Sequence, residues 1–120
     1  VDEQRLVTVE FVANLNIDAP WEFKPDDVKM QVHPGKFYQT SYYARNLTDE
    51  NITGQAVYNL APAQAGRFFK KIECFCFTQQ EFGAKEDKEM PILFQIDPEL
   101  PPEISTVTLS YTFYRFAPES

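Results

Sequence analysis

Alternation with a period of two runs near both ends of this chain, and no other feature narrows the available folds as much. Val7, Val9, Phe11, Ala13 and Leu15 share one parity, with Thr8, Glu10 and Asn14 between them. Toward the other end, Val107, Leu109, Tyr111 and Phe113 alternate with Thr106, Thr108, Ser110 and Thr112. Successive side chains of a strand point to opposite faces, so each segment reads as a strand with one face turned to a core. Nine prolines and four glycines break the 120 residues at short intervals, and aromatic side chains make up 15%. That is the pattern of an all-β domain with frequent turns. A chain of this length builds one core, so residues 1–120 are expected to form one domain.

Between the two ends the same period recurs. Pro20-Trp21-Glu22-Phe23-Lys24-Pro25 is extended and fenced by residues that cannot donate to a ladder, which suits an edge or a crossing, with Trp21 as a core anchor. Val28, Met30 and Val32 precede His33-Pro34-Gly35 and the Tyr-rich run Phe37 to Asn46; turn chemistry between two alternating runs predicts a hairpin. Gly54 to Leu60, Met90 to Ile96 and Ile104 to Phe116 supply further strands. Ala63 to Lys71 breaks the period and predicts one helical turn after Pro62. Ile72 to Thr78 reads as a strand, and the charged stretch Gln79 to Glu89 as an exposed flexible loop. Seven or eight short strands in about 110 residues fit an immunoglobulin-like antiparallel β-sandwich, with a small barrel as the alternative. The Cys…Trp…Cys spacing of antibody domains is absent, so that likeness concerns architecture and not ancestry.

Eighteen acidic against eleven basic side chains give a formal charge of -7. The scattered cations form no footprint for a phosphate backbone, which argues against a nucleic-acid partner. No run of about 18 apolar residues is present, and no basic-then-apolar leader opens the chain. Asn46-Leu47-Thr48 and Asn51-Ile52-Thr53 match a glycosylation pattern that matters only in a eukaryotic secretory protein.

Both cysteines sit in Cys74-Phe75-Cys76-Phe77, too few and too close for a disulfide framework. On a strand, residues i and i+2 share a face about 6.6 Å apart at a rise of about 3.3 Å per residue. A disulfide between them would need Cβ atoms near 3.8 Å, hence a distorted backbone. A soft monovalent cation asks less: copper(I) accepts low coordination by sulfur, whereas structural zinc wants four ligands. Two readings stand side by side. Free cysteine is a small hydrophobe, so the run can be a plain core strand, which the bare pattern slightly favours. Against that, Phe75 and Phe77 already offer a core face of the opposite parity, leaving Cys74 and Cys76 on the outer or rim side as a copper(I) pair.

The remaining residues offer little chemistry. His33 reads as a turn residue, Met90 as packing more readily than as a thioether ligand, and Glu73, Glu81 and Asp97 as solvent-facing or capping groups. No nucleophile set or phosphate loop can be assembled, so the chain reads as a non-enzyme. Without further clues, a protein-binding or scaffolding sandwich with idle cysteines competes with a copper site. A redox Cys-x-Cys module is weaker, because the helix and strand alternation that usually accompanies it is missing.

Lys71-Ile72-Glu73-Cys74-Phe75-Cys76-Phe77 resembles the CtaG-type copper chaperones that assemble cytochrome c oxidase. The likeness continues, in order, through Pro20-Trp21-Glu22-Phe23-Lys24-Pro25, Val32-His33-Pro34-Gly35, Tyr43-Ala44-Arg45-Asn46, Gly54-Gln55-Ala56-Val57-Tyr58-Asn59, Met90-Pro91, Ile96-Asp97-Pro98-Glu99 and Leu109-Ser110-Tyr111-Thr112-Phe113. The resemblance implies an immunoglobulin-like sandwich that holds copper(I) on Cys74 and Cys76. It implies transfer of the ion from an upstream donor to the buried copper centre, CuB, of the oxidase catalytic subunit. It further implies an inner-membrane protein whose soluble part faces the periplasm, or the intermembrane space in a mitochondrial version. Family members carry an N-terminal transmembrane anchor with a further cysteine; neither is present here, so Val1 is expected to begin a truncated soluble piece. Glu81 to Glu86 departs from the family's more usual Pro-Gly-Glu turn. Because two thiolates leave copper(I) open to a bridging sulfur, copper loading is expected to turn apo monomers into a homodimer.

Overall fold

The computed structural model describes residues 4–17, 19–73 and 79–116, the side chains of 71–73 excepted. Along these residues run β1 (Val7–Leu15), β2 (Trp21–Pro25), β3 (Lys29–Val32), β4 (Phe37–Asn46), β5 (Ile52–Ala61), β6 (Phe69–Glu73), β7 (Gln80–Phe82), β8 (Asp87–Ile96) and β9 (Thr106–Phe116). A five-stranded sheet in the order β3-β1-β9-β5-β7 packs on a four-stranded sheet in the order β2-β4-β8-β6. This is the all-β, immunoglobulin-like sandwich expected, antiparallel except where β1 and β9 run parallel.

The inward parities are those the alternation predicts. Val7, Val9 and Phe11 lie beside Val107, Leu109, Tyr111 and Phe113 on one sheet, and Tyr42, Ala44, Met90, Ile92, Phe94 and Ile96 line the other, all buried; Leu15, expected on the inward face of β1, is instead 41% exposed at the strand's end. Trp21 is 1% exposed; it meets Phe113 edge-to-face at 4.9 Å and Phe82 at 5.8 Å. Pro20 and Pro25 bracket a strand at the edge of its sheet, where a missing N–H costs nothing.

Two expectations are corrected. Val28 to Val32 and Phe37 to Asn46 do not form a hairpin: β3 pairs with β1, while β4 pairs with β2 and β8. The His33-Pro34-Gly35 turn crosses between the sheets, with Gly35 at φ 89 donating its N–H to the Ile96 carbonyl at 2.7 Å. Neither is Gln79 to Glu89 a loop throughout. Gln80–Phe82 pairs with Ile52 to Gly54, and Phe82 is 1% exposed because a single aromatic among charged neighbours can anchor an edge strand. The helical turn expected after Pro62 is a 3-10 helix, Ala63–Phe68, while Phe69 to Lys71, expected within the same break, join β6.

Asn46 ties the β4–β5 and β7–β8 connections together from a fully buried position. Its side-chain amide donates to the Glu50 and Gly83 carbonyls, both at 2.8 Å, and its oxygen accepts from the Thr48 N–H at 2.8 Å. Lys85, in the left-handed region at φ 60, donates its backbone N–H to the Thr48 carbonyl at 3.0 Å and its Nζ to the Leu47 carbonyl at 2.8 Å. Replacing the side chain leaves the part-buried Glu50 and Gly83 carbonyls and the Thr48 N–H without this partner, each worth up to about 1–3 kcal/mol. Asn46→Ala is therefore expected to lower the unfolding free energy by at least about 2 kcal/mol in urea titrations; a loss within error would contradict this role.

Gly54 is required by close approach. A Cβ there would lie 2.3 Å from Phe113 Cε2, 2.5 Å from Phe113 Cζ and 3.0 Å from Trp21 Cζ2. Both rings are locked in the core, so the clash must displace β5 or the aromatic pair. Gly54→Ala should destabilise by about 1–3 kcal/mol or more, read from the denaturation midpoint, and should change the emission of Trp21. An unchanged midpoint would show that the rings yield without cost.

Candidate metal site

The residues on either side of the cysteine run are anchored, one in each sheet. Upstream, β6 is the edge of the four-stranded sheet and pairs antiparallel with β8, Phe69 opposite Ile96 and Glu73 opposite Leu93, with a register shift between Lys71 and Glu73. Its first residue fixes it: Phe69 is 6% exposed and stacks on Phe94 at 5.3 Å with 7° between the rings. The Asp97 N–H donates to the Phe68 carbonyl at 2.7 Å, and Lys70 Nζ meets Asp97 Oδ2 at 3.3 Å. Downstream, β7 is the edge of the five-stranded sheet, anchored by Phe82 against Trp21 and Phe113.

Cys74 and Cys76, with Phe75, Phe77 and the strand expected over Ile72 to Thr78, lie outside the described residues from position 74 on. Glu73, the last described residue before the run, lies in β6 of one sheet, and β7, which begins at Gln80, belongs to the other; both cysteines fall in the sequence between. A buried phenylalanine anchors the described strand on each side of the run, Phe69 in β6 and Phe82 in β7.

The other candidate ligands fall elsewhere. Met90 is 2% exposed within the core, which fits packing and not a thioether ligand. His33 follows β3, at the edge of the five-stranded sheet opposite β7; its Nδ1 lies 3.1 Å from the Arg5 carbonyl. Asp97 is a capping group: its Oδ1 accepts the Glu99 N–H at 2.9 Å. That hydrogen bond, helped by Lys70, holds its carboxyl below the usual range. Glu81 is solvent-facing, as expected. Among the described residues no three His, Cys, Asp or Glu side chains are grouped to hold a metal ion.

The fold is a two-sheet β-sandwich whose sequence carries a Cys-x-Cys run between the edge strands β6 and β7. Comparison with known proteins takes the assignment further. The family model described as cytochrome c oxidase assembly protein CtaG/Cox11 matches residues 1–115. A relative named cytochrome c oxidase assembly protein CtaG from Rhodopseudomonas palustris (strain BisB18) is 44% identical over 92% of this chain and 55% of its own length. Another of that name from Chelativorans sp. (strain BNC1) is 46% identical over 92% of this chain and 56% of its own. The human cytochrome c oxidase assembly protein COX11, mitochondrial, is 36% identical over 93% of this chain and 42% of its own. The chain belongs to the CtaG/Cox11 family. It spans just over half the length of the bacterial relatives, and among its described residues no helix is long and apolar enough to cross a membrane.

Charge on the outer face of the four-stranded sheet is arranged around Tyr43, between β2 and the start of β8. Tyr43 donates its hydroxyl to Asp87 Oδ2 at 2.9 Å, and Lys24 Nζ lies over the Tyr43 ring at 5.4 Å. Glu89 on β8 shares a hydrogen bond with Asp26, which, ahead of partial burial and the neighbouring acids, raises its carboxyl above the ordinary value. A carboxyl raised in the folded state binds its proton more tightly there, so its contribution is complete at low pH and is lost as pH rises through the folded value. Asp26→Asn should bring the Glu89 titration, followed by carboxyl NMR, back toward ordinary. It should also flatten the fall in stability that accompanies Glu89 deprotonation as pH rises above the ordinary glutamate range. A Glu89 titration unmoved by the substitution would disprove the pairing.

Proposed function

We propose that this chain is the copper-carrying part of a cytochrome c oxidase assembly factor: Cys74 and Cys76 bind copper(I) as cargo and hand it to CuB of the oxidase catalytic subunit. The observation that carries the proposal is membership of the CtaG/Cox11 family over residues 1–115, together with a Cys-x-Cys run within that span. Copper(I) prefers thiolates and tolerates two or three ligands. A two-sulfur site therefore keeps a position open for an incoming ligand, and cargo moves by ligand exchange without redox change. The chain acts as a metallochaperone and not as an enzyme, receiving the ion from an upstream donor. As part of a longer membrane-anchored protein, it would work at the inner membrane, on the periplasmic or intermembrane-space side.

The aromatic core makes folding independent of the cargo, since one ion cannot organise two sheets in the way zinc organises a finger. Cys74→Ser and Cys76→Ser should each abolish stoichiometric copper(I) binding in competition with a chelator. The near-UV circular dichroism of both variants and of the metal-free wild type should remain that of a folded protein. Unfolding of both variants, or undiminished copper binding by either, would overturn the assignment.

A copper(I) ion on two thiolates accepts a bridging sulfur from a second chain, so two Cys-x-Cys pairs can share their ions and shield them from water and oxidants. Much of the association energy then comes from the metal. Sedimentation of the reduced protein should give monomers without copper and dimers with one equivalent of copper(I). Loaded wild type that binds metal yet stays monomeric would leave a one-chain, two-sulfur site in place of a shared cluster.

A further inference from the structure

We draw no further inference here: the strongest candidate, the outer face of the four-stranded sheet where exposed Phe37 and Pro91 flank half-buried Leu93 beside the end of β6, carries nothing because no feature of the structure shows what covers it.

Discussion

Everything in this sandwich leans on the contact of Trp21 with Phe113 across the two sheets, at 4.9 Å and nearly perpendicular. Aromatic side chains of this size bury roughly 150–250 Å² each, and edge-to-face pairs add about 0.5–1.5 kcal/mol beyond burial. The contact recruits Phe82 from β7 and Phe23 from β2, which stacks on Phe113 at 5.1 Å. It is possible only because β5 passes behind the rings as a glycine at position 54. Close packing of this kind transmits any change in volume, so the spacing of the sheets is set here.

The same packing governs the ends of the cysteine run. Phe69 is held by Phe94 in one sheet and Phe82 by Trp21 and Phe113 in the other. Soft ligands are scarce among the described residues, since Met90 is committed to the core and His33 stands at the opposite edge. The cargo reading therefore rests on the two thiols.

Polar groups are treated just as economically. Asn46 begins a sequence that matches a glycosylation acceptor, yet its amide is fully buried and its donors and acceptor are engaged with two connections. A sugar there would require those connections to come apart, so the match is a structural asparagine that fits a short pattern by chance. Arg5 is used similarly, its guanidinium donating to the Leu100, Pro101 and Ile104 carbonyls and pinning the connection before β9.

Period-two alternation was enough to identify the all-β class, the buried faces of β1 and β9, and Trp21 as an anchor, because which face a side chain takes is decided within its own strand. On the Cys-Phe-Cys-Phe run alone a plain core strand and a copper(I) pair both stood, and the family resemblance, not the local pattern, turned the expectation toward Cys74 and Cys76 as ligands. Strand partnership is different in kind. Whether Val32 faces β4 or β1, and whether Phe82 hangs in a loop or fills the space beside Trp21, depends on hydrogen bonds and contacts with residues far away in sequence. No local pattern encodes those distances, so the crossing at His33-Pro34-Gly35, the parallel pairing of β1 with β9 and the burial of Phe82 were decided only when the two sheets closed on one core.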